Sequence, residues 1–404
     1  MYSKNIKRGE KIMKNLFLIF LTIFFSVMFL VAEQAIDLDY ANTKADLLEK
    51  SDFGMRVNYR ISEINSFDVN TEKGTFSQIR IEGYSYSTEI GSPKLPVLRK
   101  IIAVPLNAEI SVKMMNSEIS EFSLTDFGIN NKVIPAQASV SKSAKPEDLK
   151  FVLNEEVYAA DRFDAKEIVS VEELGIMRGM RLFTLILEPV KYNPATNSIK
   201  VYNDINVQVD FVGGDIFSTK ELREKTFSPY FEKVYSEFVF NYSEPNTRDD
   251  LTRYPIKYLI VSDRMFEDQL QPFIEWKTEK GFEVVIGYTD EIGTSTNAIK
   301  SYLQDIYNTS DPAPSFVLFV GDVGQVPAWN GNTGGHVTDL KYCEYTGDYM
   351  PEVYYGRFSA RNTSELQPQI DKTLEYEKYE MPDPSFLGEV VMIAGMDSYH
   401  GSTW

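Results

Sequence analysis

The chain has 404 residues, enough for two or three domains with cores of their own, and 43% hydrophobic and 25% charged content excludes a disordered or membrane-filling composition. A formal net charge of −18 excludes phosphate backbones as natural partners, since holding them takes clustered Lys and Arg, so no nucleic-acid role is expected. A single cysteine, Cys343, excludes an intrachain disulfide, and two histidines, His336 and His400, do not make a His-rich zinc site.

Lys14 precedes an apolar run from Leu16 to Val31, and small residues follow at Ala32 and Ala35. Basic start, apolar middle and small-residue exit are the layout of a secretory leader, expected over residues 1–35. Met13 is its expected start, because Met1–Ile12 is polar and basic. The apolar run is short for a membrane anchor and polar sequence follows it directly, so no stable membrane span is expected after leader removal. The mature chain is expected to begin near Glu33 or Ile36 and to be secreted, extracellular or held at the cell surface.

Residues 36–217 read as strands. Short alternating segments recur, among them SQIRIE (Ser77–Glu82), ISVKM (Ile110–Met114) and INVQVDF (Ile205–Phe211), with turn formers between them. Asn193–Asn197 is a turn joining strands Leu182–Val190 and Ile199–Tyr202 into a hairpin. The pattern implies a β-rich domain, sandwich or barrel-like, and periodicity alone does not choose between them. Residues 218–253 hold a helix around Pro229–Phe240, then a polar, proline-bearing linker with Arg248 and Arg253, a place where proteases cut.

Residues 254–385 change pattern. Tyr258–Val261 is a short apolar strand, a helix runs through Phe273, Ile274 and Lys280 to a stop at Gly281, and Phe282–Tyr288 is the next strand. Ser295 or Thr296 caps a helix with Ile299, Leu303 and Ile306 on one face. Phe316–Val320 is apolar throughout, as in a strand buried on both sides of a parallel sheet. A long loop crosses to Val353–Tyr355, Thr363 or Ser364 caps a further helix, and residues 386–404 open a second subdomain with strand Val390–Ala394. Strands alternating with helices mean βαβ units in a mainly parallel α/β sheet.

Such sheets bind ligands beyond the carboxyl ends of their strands, where Gly321-Asp322 and Gly395-Met396-Asp397 stand. One acid at a strand end is ordinarily a cap or turn residue. The densest text is Asp339–Tyr342 (DLKY), then Gly347-Asp348, Pro351-Glu352 and Gly356-Arg357-Phe358. Asp348 and Glu352, four apart in a glycine- and proline-bound loop, suit a hard cation such as calcium. An Asx-type turn at Asp348 with Glu352 opening a strand suits the spacing better, since the loop lacks the carboxylate density of an EF-hand.

The run TDLKYCEYTGDYMPEVYYGRFS (Thr338 to Ser359) resembles a signature of the gingipain family of cysteine peptidases. IEWKTEKGF (Ile274–Phe282), FVGD (Phe319–Asp322) and MIAGMD (Met392–Asp397) agree with it, and GSPKLP (Gly91–Pro96), IAVP (Ile102–Pro105) and LEPVKYNP (Leu187–Pro194) resemble the family's propeptide. The resemblance implies a β-rich propeptide domain followed by a partial caspase-like α/β domain. It implies peptide-bond hydrolysis by a Cys/His pair with an orienting acid, and a zymogen whose propeptide covers the catalytic face as an intramolecular inhibitor. Substrates are then proteins or peptides, and no organic cofactor is expected.

Residue by residue, the resemblance assigns the orienting acid to Asp397. It strengthens the calcium reading of Asp348 and Glu352, with the carbonyls of Tyr345 and Met350 as further ligands. The family's histidine and cysteine stand on later strands, which places both beyond Trp404 and makes the 404 residues by themselves an inactive precursor fragment. His400 stands too early to be the base, and Cys343 falls in a crossing loop where no nucleophile is expected. The alternatives are a secreted binding or adhesion protein and a sortase-like processing relative in the same superfamily.

Overall fold

The computed structural model describes residues 34–139, 150–244, 255–332 and 335–391. The leader's basic start and apolar run, Arg248 and Arg253 of the linker, and Asp397 and His400 lie outside the described residues.

Alternation of apolar and polar residues pleats the first half into strands β1 (Gln34–Asp37), β2 (Lys44–Ser51), β3 (Gly54–Arg60), β4 (Glu63–Thr71), β5 (Gly74–Arg80), β6 (Ser85–Tyr86), β7 (Pro96–Val104), β8 (Glu109–Ser123), β9 (Val169–Met177), β10 (Met180–Leu187), β11 (Val190–Asn193) and β12 (Ser198–Val212). In β12 every second residue from Ile199 to Phe211 is buried, and the one polar member, Asn203, is satisfied by the N–H and carbonyl of Ile61. The strands form three antiparallel sheets, ordered β1-β4-β5, β6-β7-β10-β9 and β11-β12-β3-β2, with β8 along the other edge of β12. Val57, Tyr59, Val207 and Val209 of one sheet pack against Ile102, Phe183 and Leu185 of another, which makes the domain a sandwich. Each such fully buried side chain contributes about 1.5–3 kcal/mol.

The strand expected over Leu182–Val190 ends at Leu187 instead. Pro189 has no N–H to continue the ladder, so the chain steps there into another sheet, and the hairpin is Val190–Asn193 with Ser198–Val201. Two helices follow, α1 (Ile216–Lys225) and α2 (Pro229–Phe238), the second with proline in its first turn.

The second half is an α/β unit. Strands β13 (Ile256–Ser262), β14 (Phe282–Tyr288) and β15 (Phe316–Val320) alternate with α3 (Glu267–Glu279) and α4 (Thr296–Thr309). A short ladder of β16 (Trp329–Asn330) with β17 (Val337–Thr338) lies in the crossing loop before β18 (Tyr354–Phe358) and α5 (Thr363–Lys378). The sheet is parallel throughout, ordered β14-β13-β15-β18. Ile260 and Leu318 face α3 and α5 through Leu270, Phe273, Leu366 and Ile370, whereas Leu259, Val261 and Val317 face α4 through Ile299 and Leu303. The buried strands are therefore apolar on both faces. Ser295 caps α4 as expected, but α5 is capped by Asn362, whose side chain accepts from Glu365 N. Of the expected strand Val390–Ala394, Val390 and Val391 are exposed irregular chain and the rest lies outside the described residues.

The two halves meet at the amino-terminal ends of the parallel strands. Tyr230 of α2 packs on Phe282 and Phe316, the first residues of β14 and β15, and Phe231 packs on Tyr354, the first of β18. Ser315 Oγ donates to Ser228 Oγ at 2.8 Å. Among the described residues, the contacts of the β-domain with the α/β half lie at this amino end of the sheet. A cluster of Met180, Leu182, Tyr235 and Tyr354 at this seam supplies the apolar contact that the carboxyl ends, ringed with charge, do not offer.

Candidate functional site

The order β14-β13-β15-β18 reverses direction between β13 and β15, and the crevice for a ligand in such a sheet opens beyond their carboxyl ends. Ser262-Asp263-Arg264 leave β13 there and Gly321-Asp322 leave β15. Asp263 caps the turn by accepting from Met265 N, and Arg264 lies over the Tyr288 ring at 3.9 Å while pairing with Asp290 and Glu291. Gly321 N donates to Phe358 O and Asp322 N to Ala360 O, and Asp322 Oδ1 accepts from Ser359 Oγ at 3.1 Å, so the exits of β15 and β18 are laced together.

The DLKY text supports this crest from below. Arg357 donates to both carboxylate oxygens of Asp339, at 2.8 and 2.7 Å, and its other branch reaches Gly321 O and Val326 O, both at 2.8 Å. This bidentate, largely buried pair pins the crossing loop to the end of β15. Tyr342 adds a hydrogen bond to Pro327 O, and its ring lies tilted against Phe319 and edge-on to Trp329. Asp339 and Arg357 are thus scaffold for the crest rather than reacting groups.

Cys343 is away from the crest. It is fully buried in the core beneath the sheet with Val317 and Leu303, and burial pushes its thiol well above the usual range.

Asp348, Glu352, Tyr345 and Met350 are brought together at the amino end of β18, in a loop that faces the β-domain. Asp348 Oδ2 accepts from Ile176 N of β9 at 2.5 Å and its Oδ1 from Met350 N at 2.8 Å. Glu352 accepts from Tyr345 N at 2.6 Å and from Thr346 Oγ1 at 3.3 Å. Glu344 accepts from Gly347 N. Burial, reinforced by the charges of Asp348 and Glu344, pushes the Glu352 carboxyl up from 4.5 to about 7. The carboxylates therefore face N–H and O–H donors, and Tyr345 and Met350 turn amide nitrogens toward them. Among the described residues no three His, Cys, Asp or Glu side chains converge. In this arrangement the loop does not fit a calcium cage and works as an acceptor surface for a neighbouring strand.

That neighbour approaches closely. A Cβ on Gly175 would sit 2.5 Å from Asp348 Oδ2, and Gly175 has φ +132°, so only glycine lets β9 reach the carboxylate. Neither Gly175 nor the partnership of Asp348 with Ile176 was marked in the sequence, because the contact joins residues 172 apart.

Comparison with known proteins matches the two halves separately. The family model Propeptide_C25 matches residues 39–246, and that of Peptidase family C25 matches residues 251–403. Lys-gingipain of Porphyromonas gingivalis is 38% identical over 369 residues, which are 90% of this chain and 21% of that protein. Gingipain R2 of the same organism is 26% identical over 371 residues, 88% of this chain and 48% of that protein. The chain thus spans about a fifth of the length of Lys-gingipain. A solved structure concerned with the zymogenic latency of gingipain K from Porphyromonas gingivalis aligns over 45% of this chain with a TM-score of 0.43 and 36% identity.

Proposed function

The chain belongs to peptidase family C25, as a propeptide joined to the front of a peptidase domain, and from that premise we propose that it is the precursor part of a secreted cysteine endopeptidase. The observation that carries this reading is the order and meeting point of the two family matches. Propeptide ends at 246 and peptidase begins at 251, inside the stretch that separates the β-domain and its two helices from β13. Gly321-Asp322 and Ser262-Asp263 then form the floor of the catalytic face, and Asp397 is the acid that orients the catalytic histidine.

Cys343, buried in the core with its thiol pushed up, is not the nucleophile in this reading, and the resemblance assigns nucleophile and base to later strands of the complete enzyme. The β-domain acts as intramolecular inhibitor until the linker with Arg248 and Arg253 is cut. Lys14 and the run Leu16–Val31 direct export, and among the described residues no helix is long and apolar enough to cross a membrane. Calcium enters as a second element of the proposal. Asp348 and Glu352 stand four apart in one loop, and loss of the Ile176 N contact would leave Asp348 open to a hard cation.

An orienting acid holds the imidazole without forming a bond to substrate. In the complete, processed enzyme, Asp397→Asn is expected to lower kcat by roughly 10–10⁴-fold with KM changed far less. Near-normal kcat would reduce Asp397 to a turn cap and remove the assignment.

A further inference from the structure

At the tip of the β9–β10 hairpin stands Arg178, and we propose that the peptidase half carries, at the amino edge of its sheet, a guanidinium-binding pocket through which this one side chain anchors the β-domain after the linker is cut. The inference rests on the reading of residues 34–244 as a removable propeptide, and names the contact that retains it.

The backbone gives the first indication. Met177 pairs with Met180, leaving Arg178-Gly179 as a two-residue turn with φ +44° and +77°. A turn with both central residues left-handed favours Asn-Gly or Asp-Gly, and arginine at its first position is conformationally disfavoured. Nothing in the turn itself calls for arginine, so the side chain is the reason for it.

The side chain is fully buried. Its Nε donates to Thr226 O at 2.6 Å, Nη1 to Pro314 O at 2.6 Å and Glu352 O at 2.8 Å, and Nη2 to Ala313 O at 2.8 Å and Ser315 Oγ at 3.4 Å. Phe231 and Tyr307 lie against the guanidinium, with ring centres 5.0 and 5.7 Å from Cζ. These acceptors are carbonyls and one hydroxyl, so the planar donor fork is matched by shape rather than by a carboxylate partner. An ammonium, a point charge with three donors on one atom, does not reach acceptors spread around a plane.

The pocket divides unequally at the linker. Thr226 and Phe231 stay with the β-domain, whereas Ala313, Pro314, Ser315, Glu352 and Tyr307 belong to the peptidase half. The acceptors on the peptidase side precede β15 and β18, outside the ladders of the sheet, and Arg178 is what satisfies them. Thr346 Oγ1 to Ile176 O and Ile176 N to Asp348 hold the hairpin stem beside them.

The test uses the full chain, cut with trypsin at Arg248 or Arg253 and passed over a sizing column. Wild-type fragments are expected to co-elute. Arg178→Asn, which keeps a favourable turn and removes the guanidinium, is expected to weaken the fragments' association at least about 30-fold. In Arg178→Gly, methylguanidinium is expected to restore co-elution, and to raise the melting temperature of the uncut chain, where methylammonium does neither. Wild-type association in Arg178→Asn, or equal effects of the two cations on the uncut Arg178→Gly chain, would overturn the pocket. Absence of any cut between residues 245 and 254 would count against the propeptide reading instead, while the melting measurement on uncut chain still decides the pocket.

Discussion

Cys343 is fully buried in the core with its thiol pushed up, and no histidine or basic cluster flanks it in sequence to stabilise a thiolate. Iodoacetamide is therefore expected to leave the folded chain unmodified at Cys343 on the time scale that labels free cysteine, and to modify it after denaturation. In the complete enzyme Cys343→Ser is expected to keep near-normal activity. Rapid labelling of the folded chain, or loss of activity in Cys343→Ser, would place the nucleophile here and contradict the assignment. Arg178 gave no such signal. The text Gly-Ile-Met-Arg-Gly-Met does not name its partners, because the acceptors that hold the guanidinium, at Thr226, residues 313–315 and Glu352, come from distant parts of the chain.

Elements were more legible than sites. The alternation in Ile205–Phe211, the apolar run Phe316–Val320 and the Ser295 cap each sit where the pattern placed them, because burial of one or both faces dictates these signals locally. The strand expected across Pro189 ends at Leu187, because proline has no N–H to continue the ladder. The loop with Asp348 and Glu352 leaves both calcium and a turn open in the sequence, and in the structure Asp348 accepts from Ile176 N of a strand that sequence does not place beside it. If that loop takes calcium once freed, added calcium should raise the melting temperature of the processed peptidase domain by linkage. Asp348→Ala combined with Glu352→Ala should remove the increment. An equal calcium shift in wild type and double variant would leave the loop as an acceptor surface only.

For the molecule as a whole, strands in the first half and βαβ alternation in the second could be read from the sequence pattern. Their docking could not. It depends on aromatic contacts of Tyr230 and Phe231 with the first residues of β14, β15 and β18, matches of shape between residues far apart in the chain. Among the described residues the two halves meet at the amino ends of β14, β15 and β18. The most direct measurement is a time course of limited proteolysis on the complete precursor, with N-terminal sequencing of the products and a peptide-hydrolysis assay blocked by a thiol reagent. A stable fragment beginning between Asp249 and Tyr254, with thiol-dependent activity rising as it accumulates, is the expected result. First cuts inside Tyr258–Val320, or a fragment of that start with no thiol-dependent hydrolysis, would contradict it.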